Sequence, residues 1–200
     1  MSLQQRIGPL APSADNTPAP LRGTRDGATA TQEAHAKYQE AVYRGNVFVA
    51  SNNAGSAIPT ALAAACTGLI LTNPPTSGKN LVLLECAVAS TAPAIGQVST
   101  IVLAYTGSLG TNVVHTTPLT ITNALLGSPI KSVALADSSA TLPSVPYVVR
   151  VITSMTGSAQ SAKDLIDGAL ILAPGSAIAT FSLTVATTAV THMIWEEIPL

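Results

Sequence analysis

The sequence predicts an all-β body of sandwich or barrel type over residues 46–200, preceded by an extended arm over residues 1–45. Three observations carry this reading. From Asn46 onward, short Val/Ile/Leu/Thr-rich runs recur at spacings of about 8–15 residues, with Gly, Pro, Asn and Ser between them, the pattern of many short strands joined by turns. The chain is 47% hydrophobic and 10% charged, against roughly 25% charged in an average soluble domain. This excludes disorder throughout, which requires low hydrophobicity and high net charge. Finally, nine of the nineteen Asp, Glu, Lys and Arg residues lie in the first 45 positions, together with Pro9, Pro12, Pro18 and Pro20.

The arm comes first. Proline fixes φ and removes a donor, so residues 1–30 are expected to be neither regular helix nor central strand. Their apolar surface is too small to offset the entropy of ordering, so the arm is expected to be loose unless it lies along a partner. Residues 31–44 admit two patterns. Thr31 with Glu33, Ala34, Tyr38, Ala41 and Val42 suits a short amphipathic helix, whereas Tyr38, Glu40, Val42 and Arg44 alternate as a strand does. Extended chain ending in a strand is the reading adopted.

Ten strands are expected in the body, at 46–51, 67–72, 80–90, 98–106, 112–121, 130–136, 145–154, 168–173, 177–187 and 189–198. Between them stand turn sequences: Asn73-Pro-Pro-Thr-Ser-Gly, Thr106-Gly-Ser-Leu-Gly, Leu126-Gly-Ser-Pro, Asp167-Gly and Pro174-Gly. In 145–154, Tyr147, Val149 and Val151 form an apolar side opposite the mixed Val148, Arg150 and Ile152. In 180–186, Thr180, Ser182 and Thr184 alternate with Phe181, Leu183 and Val185, as in a half-buried antiparallel strand.

Composition also bounds the partners. Net charge is -1 and the pI about 6.3, so no basic excess exists to neutralise phosphates, and nucleic acid is not an expected partner. No apolar run reaches the roughly 18 residues of a spanning helix, so no membrane is expected. The first residues carry no apolar stretch of the secretory kind. Cys66 and Cys86 are expected to be small buried hydrophobes. A surface so short of charge is disfavoured for a free monomer, and an oligomer is expected.

Chemistry-bearing motifs are sparse. Thr76-Ser-Gly-Lys-Asn lacks the earlier glycine and the following Ser or Thr of a phosphate loop, and reads as a hairpin-type turn. His35, His115 and His192 lie far apart, with no short-spaced ligand pattern, so neither a metal nor a cofactor is expected. Serines are abundant enough that a Ser–His–Asp set using His115 and Asp137 stays open, although no Gly-x-Ser-x-Gly elbow occurs. Glu196 and Glu197, adjacent on a strand, point to opposite faces. Asp164 and Asp167 are expected to flank a turn in solvent. Trp195 is expected in a core or between subunits. On these grounds the chain is not expected to be an enzyme.

Two stretches carry a resemblance. Asp26-Gly-Ala followed by Ala34-His-Ala-Lys-Tyr-Gln-Glu-Ala-Val-Tyr-Arg-Gly-Asn-Val-Phe-Val-Ala-Ser resembles the N-terminal pattern of small tailed-phage virion proteins. Leu69-Ile-Leu-Thr-Asn-Pro-Pro-Thr-Ser-Gly-Lys-Asn-Leu-Val-Leu-Leu and the closing Trp195-Glu-Glu-Ile-Pro fit the same group, which is similar to phage head decoration (cement) proteins and related jelly-roll virion proteins. The resemblance implies an antiparallel jelly-roll-like β-sandwich. It further implies a non-enzymatic homotrimer on the capsid exterior, assembled in the host cytoplasm, with the major capsid protein as partner. The arm would then contact neighbouring subunits through Arg22, Arg25, Asp26, Tyr38, Tyr43 and Arg44. The alternative is a head-fibre, tail or adsorption protein that binds a host receptor or glycan.

Overall fold

The computed structural model describes residues 36–92, 98–107, 113–156 and 160–200. By contacts the chain divides at Gln39/Glu40. The elements are α1 (Gln39–Tyr43), β1 (Val47–Ser51), β2 (Ser56–Ile58), β3 (Ala65–Asn73), β4 (Lys79–Ala92), β5 (Val98–Gly107), β6 (Val114–Pro118) and β7 (Ile121–Asn123), then β8 (Leu135–Thr141), β9 (Tyr147–Thr156), β10 (Ser161–Leu165), β11 (Ile171–Leu172), β12 (Ser176–Ser182) and β13 (Thr187–Pro199). No helix among the described residues is long and apolar enough to cross a membrane.

The extended reading of residues 31–44 is corrected where the structure describes them, because Gln39–Tyr43 is helical. Local hydrogen bonding explains the outcome. Gln39 Oε1 accepts from the Ala36 amide at 3.1 Å, and Glu40 pairs with Arg44 four residues on, at 2.8 Å. Gly45, at φ +73°, ends the helix. Its amide donates to the Val42 carbonyl and the Asn46 amide donates to the Ala41 carbonyl, the paired bonds of a Schellman terminus, which needs a left-handed residue at this position. Residues 31–35 lie outside the described residues.

The body is an antiparallel β-sandwich. One sheet has the order β10-β4-β13-β1-β7, with β2 and β11 paired to β13 and β4; the other has the order β6-β8-β3-β12-β5-β9. Read from the β9/β10 side, the two orders correspond. β10 lies in the place of β9, β4 of β5, β13 of β12, β1 of β3 and β7 of β8, and in each pair the chain leads from one strand to the other, by way of β2 between β1 and β3. The antiparallel ribbon β4/β13 thus continues into the antiparallel ribbon β5/β12 in the facing sheet. A long ribbon folded across two sheets is the jelly-roll-like arrangement that the sequence suggested. The Asn73-Pro-Pro-Thr-Ser-Gly turn carries the chain from β3 to β4, across the sheets, rather than closing a hairpin within one.

Alternation places the main core between the sheets. Phe48, Leu71, Leu81, Leu83, Met193 and Trp195 are buried there among others, and the Phe48 and Trp195 rings lie 6.3 Å apart at 29°. A second cluster, including Ile70, Val102, Ala104, Ala177, Ala179 and Phe181, joins residues of β3, β5 and β12, with Leu142 and Leu62 packed among them. The segments bearing these leucines are tied to each other by the Leu142 amide on the Ala64 carbonyl. β12 is therefore buried at every position, which corrects the half-buried reading of 180–186. Ser182 ends the strand, and Leu183 is exposed. Gly68 lies at an irregularity in the β3/β8 register. With φ +109° and a Cβ position only 2.9 Å from Thr180 Oγ1, it admits no side chain without displacement.

Other boundaries shift. The strand expected at 130–136 forms instead at Leu135–Thr141, and Ser56–Ile58 and Ser161–Leu165 are strands that the pattern did not show. Asp164 is on β10 rather than flanking a turn in solvent. Cys66 and Cys86 are both free and buried. Burial first, and nearby carboxylates second, push both thiols up to about 12.

Candidate interaction surface

β9 forms one edge of the six-stranded sheet and, among the described residues, pairs only with β5. Val149 and Ile152 are extra residues in that register, opposite no residue of β5. Such bulges twist an edge strand and discourage open-ended pairing. The strand's apolar side chains nevertheless face solvent: Tyr147 is 74% exposed and Val151 58%, with Val148 and Val149 near 40%. Val145 precedes them, and Tyr105, paired with Tyr147 in the register, is partly exposed beside them. The apolar side read from the sequence thus faces outward, and Val148 of the mixed side is as exposed as Val149.

At least seven of the ten charged residues of 46–200 stand in ion pairs. Arg150 closes the β9/β10 side with Nε 2.5 Å and Nη2 2.9 Å from the two Asp164 carboxylate oxygens. The hydrogen bond to Asp164 holds the guanidinium above its ordinary pKa against an opposing effect of burial. Glu197 is fully buried. It accepts from Lys79 Nζ at 2.9 Å, Ser132 Oγ at 2.6 Å and the Val133 amide at 2.9 Å. Glu196, on the other face, does not join it. Glu85, between β13 and β10, meets Lys163 at 2.7 Å and His192 at 3.1 Å. Burial pushes the Glu85 carboxyl up, but the hydrogen bonds from Lys163 and His192 outweigh it and leave it below the usual range.

His115 and Asp137 are also brought together. His115 Nδ1 lies 2.5 Å from Asp137 Oδ2, and the Asp137 side chain is 1% exposed. Two clefts of about 380 Å³ each adjoin here and share His115 and Leu135. No group of three His, Cys, Asp or Glu side chains able to hold a metal ion occurs among the described residues.

Of the arm residues singled out from the sequence, Arg22, Arg25 and Asp26 lie outside the described residues. Tyr38 is half-buried, with Lys37 Nζ 5.2 Å from its ring centroid. Tyr43 is exposed on α1, and Arg44 pairs with Glu40 just beyond it. The exposed β9 face was missed as a site. Its alternation was legible, but which side faced outward depends on the edge position. Comparison with protein-family models, with curated proteins and with solved structures finds no match to this chain.

Proposed function

We propose that the chain is a non-enzymatic virion structural protein, a capsid decoration protein that binds and stabilises an assembled major capsid shell from outside, as a homotrimer. The supporting observation is the exposed apolar edge of β9 on a body whose charges are largely consumed in ion pairs. A surface of this kind is suited to burial against protein, since large apolar patches on soluble chains mark interaction sites. A partner that binds only the assembled shell stabilises it by mass action, and three arms per trimer add effective concentration. In this reading Arg22, Arg25, Asp26, Tyr38, Tyr43 and Arg44 contact neighbouring subunits.

Mass spectrometry of purified phage particles, with heads and tails separated, tests the proposal. The expected result is the chain in heads at near-stoichiometric ratio to the shell protein. Recovery at a few copies in tails would replace decoration by adsorption, and absence from both fractions would overturn the virion reading. Deletion of residues 1–30 is expected to abolish shell binding while leaving the body folded. Full decoration by the truncated chain would remove the arm from the mechanism.

A further inference from the structure

We propose that the adjoining clefts at His115 are a binding site for an organic anion, a carboxylate held by His115 Nε2 and Lys131 with its apolar body on the cleft walls. This inference does not depend on the virion role.

The imidazole is fixed in place. Its Nδ1 is committed to Asp137 Oδ2 at 2.5 Å, and the Asp137 carboxylate is buried in β8. A histidine bonded through one ring nitrogen to a carboxylate presents the other nitrogen in a set direction. Nε2 has no partner among the described residues, and the side chain is 28% exposed where it lines both clefts. Asp137 Oδ1 is buried without a hydrogen-bond partner, so His115 is the carboxylate's sole ion-pair partner among the described residues. With Nδ1 turned to Asp137, a proton on Nε2 points into the cleft, and an anion bound there selects the form that carries it.

The surrounding charges favour an anion. Lys131 borders the second cleft and makes no ion pair among the described residues. The other ionisable groups nearby are already accounted for. Asp137 faces His115, Glu197 is neutralised by Lys79 behind Ser132, and the Cys66 thiol, near Asp137, is pushed up to about 12 and stays protonated. Among the described residues no exposed carboxylate lines either cleft. The walls are apolar, with Pro74, Pro75 and Val113 on one side of Leu135 and Leu119 and Ile121 on the other. A mostly apolar cleft with a few convergent polar groups is the usual form of a small-ligand site. Unpartnered buried polar atoms gather here too: Thr72 Oγ1, Asn73 Oδ1 and Asp137 Oδ1 all belong to cleft-lining residues. In folded proteins such atoms are few and call for an explanation.

The same carboxylate chemistry is offered by a free aliphatic or aromatic acid and by the C-terminus of a polypeptide. NMR titration of the full chain, following the His115 ring protons, separates them. The probes are 3-phenylpropanoate and acetyl-Leu-Pro-Leu, each as acid and as amide. Both acids are expected to shift the His115 signals saturably, with the amides at least tenfold weaker. The tighter acid identifies the source. His115→Gln and Lys131→Gln are each expected to weaken acid binding at least tenfold, with unchanged Trp195 fluorescence reporting an intact core. Equal responses to acid and amide, saturable binding that leaves the His115 signals unmoved, or full affinity in both variants would overturn the site. So would no response to either acid up to millimolar concentration.

Discussion

β13 and β9 are both long strands rich in β-branched residues, yet they behave oppositely. β13 alternates buried and half-buried residues from Thr187 to Glu197, whereas β9 follows no such rhythm and is mostly exposed. The difference lies in the neighbours. β13 is flanked by β4 and β1, its inward side chains meet the facing sheet, and the two irregularities of the β4 ladder put their extra residues, Thr91 and Leu84, on β4, so β13 keeps its own alternation. β9 has β5 on one side only and absorbs two extra residues, each of which shifts the side chains beyond it. Similar compositions thus serve as a core strand or as a contact surface according to position in the sheet.

The contrast can be broken most severely at its buried end. Trp195→Ala is expected to cost about 3–5 kcal/mol, as for other large-to-small core changes, read as a lowered urea midpoint with an unchanged slope. Glu197→Ala leaves the Lys79 ammonium without its carboxylate and frees the Ser132–Val133 segment. A loss of about 3 kcal/mol is expected by the same measurement, since breaking a buried pair strands its partner. A midpoint within error of the parent would show that this latch carries no stability.

A milder test uses pH. The folded-state pKa of Glu85 is depressed, so its contribution is present above the unfolded carboxylate range and disappears as pH falls through the lowered folded value. The stability gap between the parent chain and Glu85→Gln is therefore expected to be full near neutrality and to close below about pH 4. A gap that widened on acidification would reverse the assignment. On β9, Tyr147→Thr with Val151→Thr is expected to change stability by less than about 0.5 kcal/mol. The pair should shift sedimentation toward monomer. An unchanged oligomer would move the interface elsewhere.

The sequence made the fold class legible because strands with a buried face must alternate and the turns carry Gly, Pro and Asn. It was least legible where side chains are small or charged. β8 reads Leu-Ala-Asp-Ser-Ser-Ala-Thr and buries Ala136, Asp137 and Ala140, so its strand offered no hydrophobic signal and was sought five residues too early. β10 contains Lys163 and Asp164, whose partners Glu85 and Arg150 come from other strands; the pair Asp164/Asp167 was accordingly read as a solvated turn. The helix at Gln39–Tyr43 depends on a glycine terminus and one i,i+4 pair, signals too short to outweigh an alternating pattern. His115 and Asp137 were named together, but their contact follows from the β6/β8 pairing, which periodicity does not reveal.

The pairing of β1 with β13 also has a consequence during synthesis. β1 lies near residue 50, whereas β13, the central strand of its sheet, is the last of the described strands to be made. β4 likewise waits for β13, and β5 for β12. Until β12 and β13 leave the ribosome, β1, β4 and β5 can pair on one side only, with β7, β10 and β9. Contacts of such long sequence separation make for slow folding. During that interval, apolar strand edges stand open to other nascent copies, and the bulged β9 offers them a poor template.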